Sequence, residues 1–142
     1  MVDQLGMALR HPHESILLVD DEEVVRTLVS RMLTRQGYVV VALADPLEAL
    51  ALCEGDQSFD LLVTDVLMPG LNGHDLAAQL VAQRPGLRVL FTSGYSSRIA
   101  GADGELDPGT AFLQKPFAVG ELAASVRELL DAPRVVEPLH AA

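Results

Sequence analysis

Five short apolar runs alternate with stretches of helical periodicity, and no other feature of this chain limits its possible folds as strongly. The runs are Ile16 to Val19, Tyr38 to Leu43, Phe59 to Thr64, Val89 to Thr92 and Ala111 to Gln114. They are short, continuous and partly β-branched, as strands buried on both faces of a sheet must be. After the first run, Val25, Leu28, Val29, Met32 and Leu33 recur at i, i+3, i+4, i+7 and i+8, which predicts a half-buried helix. Gly37 stops it. A second helix is expected over Ala44 to Cys53, with Asp45 as its cap and Pro46 at its first position. Asn72 can cap a third that carries Leu76, Leu80 and Val81 and ends at Pro85-Gly86, and a last helix places Leu122, Val126, Leu129 and Leu130 on one face. Between the fourth and fifth runs, Gly101, Gly104, Pro108 and Gly109 predict a helix that is short or irregular. Such alternation implies an α/β fold, a doubly wound parallel sheet with helices on both faces. Right-handed crossovers leave few topologies, of which the flavodoxin-like order 2-1-3-4-5 suits this size.

The 142 residues suit one domain. Residues 1–14 read as a leader or linker, 15–131 as the domain and 132–142 as a tail. A net charge of −10, with no Lys/Arg cluster, argues against direct contact with nucleic acid. Aromatics make up only 4% and Trp is absent, so base-stacking platforms are not expected. The single cysteine, Cys53, excludes an internal disulfide and is expected as a small packed hydrophobe. No apolar run approaches the ~18 residues of a membrane span. The chain reads as soluble and cytoplasmic.

Ligands of open α/β sheets bind beyond the carboxyl ends of the strands, where strand order reverses. Asp20-Asp21 follow the first run and Asp65 the third, while Ser93 ends the fourth and Lys115 the fifth. Four polar elements distant in sequence thus meet on one rim. Clustered carboxylates repel one another, and a hard divalent cation relieves that repulsion; oxygen donors without Cys or clustered His favour Mg²⁺. Each residue also has an ordinary explanation. Asp21 could cap the following helix, Asp65 could cap a turn, and Lys115 could be an exposed lysine. A cap and a turn leave the Lys and Ser at the other strand ends unexplained.

At this point the chain resembles a response-regulator receiver domain over about residues 15–131. The resemblance rests on Leu17-Leu18-Val19-Asp20-Asp21-Glu22, Leu62-Val63-Thr64-Asp65-Val66-Leu67-Met68-Pro69-Gly70, Phe91-Thr92-Ser93-Gly94 and Leu113-Gln114-Lys115-Pro116-Phe117, in that order. It implies that Asp65 is a phosphoacceptor, charged in a two-component phosphorelay by a histidine kinase or a histidine phosphotransfer protein. It implies further that Asp21, Asp65 and the backbone carbonyl of Leu67 bind Mg²⁺, with Asp20 acting largely through water. Ser93 and Lys115 then contact phosphoryl oxygens, and the Lys115–Pro116 bond is cis. Ser93 and Phe112 become the switch pair, with a plain core phenylalanine as the other reading of Phe112. Leu67 and Tyr95 would control access of water to the phosphoryl group; neither offers a carboxylate or amide to orient water, so the implied aspartyl phosphate is long-lived. No enzyme activity beyond the domain's own phosphorylation and dephosphorylation is expected.

Three other readings compete. An FMN-binding flavodoxin-like module needs a hydroxyl- and glycine-rich phosphate loop after the first strand, where this chain has Asp20-Asp21-Glu22-Glu23. A phosphatase with an aspartate nucleophile shows Asp-x-Asp there, against adjacent aspartates here. A receiver-like module that is never phosphorylated usually lacks one of the acidic pair, Asp65 or Lys115, and all are present. No P-loop or Gly-x-Ser-x-Gly occurs. The stretch Leu106 to Phe117 is especially similar to receivers at the C-terminus of hybrid sensor kinases. A stand-alone receiver and a piece of a larger protein are both compatible with the short tail.

Overall fold

The computed structural model describes residues 14–94 and 109–132. Five parallel strands, β1 (Ser15–Val19), β2 (Val39–Leu43), β3 (Leu61–Asp65), β4 (Arg88–Ser93) and β5 (Thr110–Gln114), form one sheet in the order β2-β1-β3-β4-β5. The flavodoxin-like topology is therefore as expected. The helices are α1 (Glu23–Arg35), α2 (Pro46–Cys53), α3 (Gly73–Gln83) and α4 (Val119–Asp131). The irregular helix expected between β4 and β5 falls on residues 95–108, outside the described residues.

Successive side chains of a strand point to opposite faces, and that parity divides the core in two. Ile16, Leu18, Leu61, Val63 and Leu90 pack under α1 and α4, against Val29, Leu33, Leu122, Val126, Leu129 and Leu130. Leu17, Val19, Leu62, Val89 and Phe91 pack under α2 and α3, against Ala49, Cys53, Leu76, Ala77 and Leu80. Central strands β1, β3 and β4 are buried almost throughout, whereas the edge strands β2 and β5 are only half-buried. Cys53 is a buried free thiol, and burial pushes its pKa up.

Local signals placed most helix ends correctly. The Asp45 carboxylate accepts from the Leu47 N–H at 2.9 Å with Pro46 at the first helical position, and the Asn72 side chain accepts from the Asp75 N–H at 2.9 Å. Gly37, at φ +101°, follows the end of α1 in the left-handed region that favours glycine. Three expectations need correction. Leu28 was placed on the buried stripe of α1 but is 52% exposed, because the helix meets the sheet through Val29 and Leu33, a narrower stripe than the periodicity suggests. Tyr38 precedes β2 rather than joining it; its ring is buried and its hydroxyl accepts from Arg127 at 2.8 Å. Phe59 likewise precedes β3. No helix among the described residues is long and apolar enough to cross a membrane.

Leu90→Ala, at a site with 0% exposure, should cost about 2–5 kcal/mol of stability through lost burial and the cavity left behind. Leu28→Ala should change stability by less than about 1 kcal/mol. Urea unfolding of both variants checks the pair, and equal losses would refute this account of α1.

Candidate functional site

The site forms where β1, β3, β4 and β5 end. Lateral register does the assembly. Val19 stands beside Thr64, Asp65 beside Thr92, and Ser93 beside Gln114, so Asp20, Asp65, Ser93 and Lys115 leave the sheet at one level. Two backbone bonds hold the strand ends together: the Val66 N–H donates to the Thr92 carbonyl at 2.9 Å, and the Lys115 N–H donates to the Ser93 carbonyl at 2.8 Å. Strand parity puts Asp20, Asp65 and Lys115 on the face covered by α1 and α4, and Ser93 on the other face together with Phe91 and Phe112.

Asp20 is 2% exposed and is held through every polar atom it has. Its N–H donates to the Leu43 carbonyl at 3.1 Å, and its own carbonyl accepts from Arg26 Nη1 at 2.9 Å. Its Oδ1 accepts from the Glu22 N–H at 2.9 Å, and its Oδ2 from Lys115 Nζ at 3.1 Å. Asp21, next along, is exposed. The alternative of Asp21 as a helix cap finds no support, since Glu22 occupies the N-cap of α1 and the Glu22 side chain makes no capping bond.

Lys115 Nζ also lies 3.6 Å from Asp65 Oδ1 and 3.6 Å from Glu22 Oε1. The Glu22 carboxylate is 62% exposed, so water screens that contact and it adds little. Burial by itself would lower the pKa of the Lys115 ammonium, but the carboxylates of Asp20, Asp65 and Glu22 outweigh it and raise the pKa. Asp65 moves in the opposite sense to most paired carboxylates. Burial pushes it up, Lys115 opposes that, and Asp20 and Asp21 add to it, so its pKa reaches about 6. The Lys115–Pro116 bond is cis, as expected.

Asp21, Glu22, Asp65, Leu67, Ser93 and Lys115 line one open pocket of about 470 Å³. Asp20 lies behind this group rather than in its lining. One carboxylate oxygen each from Asp20, Asp21 and Asp65 come within 4.8 Å of one another. Of the remaining sites expected from the sequence, Phe112 is half-buried against the α2–α3 cluster and is not among the residues lining the pocket. Tyr95 lies outside the described residues.

Two residues were missed. A Cβ on Gly73 would meet the Asp65 carbonyl oxygen at 2.1 Å, and the Gly73 N–H donates to the Val66 carbonyl at 2.8 Å. Only glycine allows α3 to start so close to the backbone of Asp65. A glycine opening an otherwise regular helix was the available signal, because it costs helix stability without a local reward. The other is Arg26, whose bond to the Asp20 carbonyl has no sequence signature.

The chain matches the model of the response regulator receiver domain over residues 16–127. It is 36% identical over 118 residues to the sensor kinase CckA of Brucella abortus, a match that covers 82% of this chain and 12% of that kinase. It also matches mycobacterial response regulators at 40% identity, spanning half of their length. Among solved structures, it is similar to a response regulator receiver protein from Sinorhizobium medicae, with a TM-score of 0.78 and 26% identity over 84% of this chain and 96% of that one. It is similar too to the response regulator protein TrrA from Thermotoga maritima, solved in complex with Mg²⁺ and BeF, with a TM-score of 0.69 and 27% identity over 82% of this chain and 98% of that one.

The raised pKa of Asp65 makes a pH dependence. Its folded value, about 6, lies above the ordinary 3.8, so the folded state holds the extra proton. The stability Asp65 contributes is full below about pH 4 and is lost as pH rises through about 6. In metal-free buffer, the difference in Tm between wild type and Asp65→Asn should therefore shift in favour of the variant across that window. A difference that stays constant from pH 4 to 7 would contradict the burial argument.

Proposed function

Because the chain belongs to the response regulator receiver domain family of two-component systems, we propose that Asp65 is its phosphoacceptor and that a histidine kinase or a histidine phosphotransfer protein is its donor. The observation that carries this reading is the position of Asp65: 8% exposed, facing the pocket, with the Lys115 ammonium 3.6 Å away. Above about pH 6 its carboxylate is ionised and can act as a nucleophile. One of its oxygens attacks the phosphorus of a phosphohistidine. The new O–P bond forms as the P–N bond breaks, and the departing imidazole takes up a proton from water. Lys115 offsets the negative charge that gathers as two anions approach.

The donor set fits Mg²⁺: three carboxylates with oxygens within 4.8 Å, no thiolate and no imidazole. Asp21, Asp65 and the Leu67 carbonyl would hold the ion. Asp20, whose oxygens are committed to Glu22 and Lys115, would reach it through water. Bound there, such an ion would neutralise charge on the transferring group. The hydroxyl of Ser93, which lines the pocket, would donate to a phosphoryl oxygen. Phe112 lies on the same side of the sheet one side-chain step back, and its movement would carry the change to the surface that partners read.

Incubation with a small-molecule phosphodonor and Mg²⁺ should add one base-labile phosphoryl group, and Asp65→Asn should take up none. Mass spectrometry of both proteins checks this, and equal incorporation would overturn the assignment. The phosphoryl group should also be long-lived. Leu67, 48% exposed on the pocket wall, has no group to orient an attacking water, and Tyr95 offers neither a carboxylate nor an amide. The double variant Leu67→Asn, Tyr95→Glu should lose label several times faster once the donor is removed; an unchanged rate would refute the role given to these positions.

A further inference from the structure

Arg26 sits one turn into α1, half-buried, and follows four acidic residues in the chain. Asp20, Asp21, Glu22 and Glu23 all belong to the turn it faces, yet its Nη1 donates to a neutral oxygen, the Asp20 backbone carbonyl, at 2.9 Å. That bond completes the set that immobilises Asp20. The other three fix its N–H to β2 and its two carboxylate oxygens to Glu22 and Lys115. The backbone carbonyl is the atom through which the chain leaves Asp20 for Asp21. Whatever fixes its direction therefore fixes where the exposed Asp21 carboxylate starts.

We infer that Arg26 is a positioning residue of the metal site: by holding the Asp20 carbonyl it sets the turn that presents Asp21 to the cation and keeps the Asp20 carboxylate turned to Lys115. The inference rests on the reading of the acidic cluster as a Mg²⁺ site. It differs from what charge alone predicts, and the difference is one of sign. A guanidinium held on the turn that carries the acidic pair repels a divalent cation bound there, so removing it for electrostatic reasons only would tighten Mg²⁺ binding. Removing an anchor that orients a ligand weakens it, and groups that act through a ligand in this way are worth about tenfold or more in metal affinity.

Isothermal titration of the purified, unphosphorylated chain with MgCl₂ tests this without any phosphotransfer. Arg26→Ala should weaken Mg²⁺ binding about tenfold, and Arg26→Lys, which keeps the charge and one donor, should recover part of the loss. Amide hydrogen exchange gives a readout that needs no metal: the Glu22 N–H, bonded to Asp20 Oδ1, should lose protection in Arg26→Ala and regain it in Arg26→Lys. Mg²⁺ affinity that is unchanged or tighter in Arg26→Ala would overturn the inference while leaving the metal site itself intact. A wild-type chain that binds no Mg²⁺ would overturn both.

Discussion

The ion pair between Lys115 and Asp20 joins the ends of β5 and β1 across the top of the sheet, and the arrangement of the site follows from it. At 3.1 Å, with side-chain exposures of 14% and 3%, this pair has little water to screen it. A buried charge without a partner is costly, and each of these two supplies the other's. The same ammonium reaches Asp65 at 3.6 Å. One cation is thus shared between two buried carboxylates and the exposed Glu22, and it lies closest to Asp20, which does not line the pocket. Burial raises the pKa of Asp65, and an ammonium held closer to Asp20 lowers it too little to offset that rise.

Such a site costs stability where it is built. Three carboxylates at the ends of parallel strands repel one another, and burial strengthens the repulsion. The rest of the described residues are conventional: two aliphatic layers with 0% exposed leucines at Leu33, Leu61, Leu62, Leu76, Leu80, Leu90 and Leu122. At the opposite end of the sheet, Arg127 uses all five of its N–H groups on Glu14, Tyr38 and Asp131. Every donor of that cation is used there. On the rim that carries Asp65, the carboxylates of Asp20, Asp21 and Asp65 crowd together beside one ammonium, and local inconsistency of this kind is where function is to be expected in an otherwise consistent fold.

Burial of Asp20 also separates the roles of the two adjacent aspartates. From sequence they are interchangeable, a pair after a strand. In the fold one is interior and bonded at every polar atom, and the other is exposed on the pocket wall. Asp20 directly follows β1 and stays under the sheet's covering helices, whereas Asp21 lies in the bend where the chain turns out toward α1.

What the sequence determined by itself is everything that depends on short-range pattern. Apolar runs and periodic stripes specified five strands, four of the helices and the two faces they cover, and Asp45, Pro46, Asn72 and Gly37 marked helix ends because capping is a bond between near neighbours. The order of polar residues at the strand ends also pointed to one rim, since the topology of a parallel sheet sends all those ends the same way. Depth and contact were decided only by tertiary structure. Leu28 carries the same local pattern as Val29, but the angle at which α1 meets the sheet buries one and exposes the other. The space available to Gly73 is set by the Asp65 carbonyl, and the partner of Arg26 by how the turn folds back over α1. The division of Lys115 between Asp20 and Asp65, residues 95 and 50 positions away in the chain, exists only after the strands have paired. Distances of a few ångströms between residues so far apart in sequence are fixed by packing, and local pattern carries no record of them.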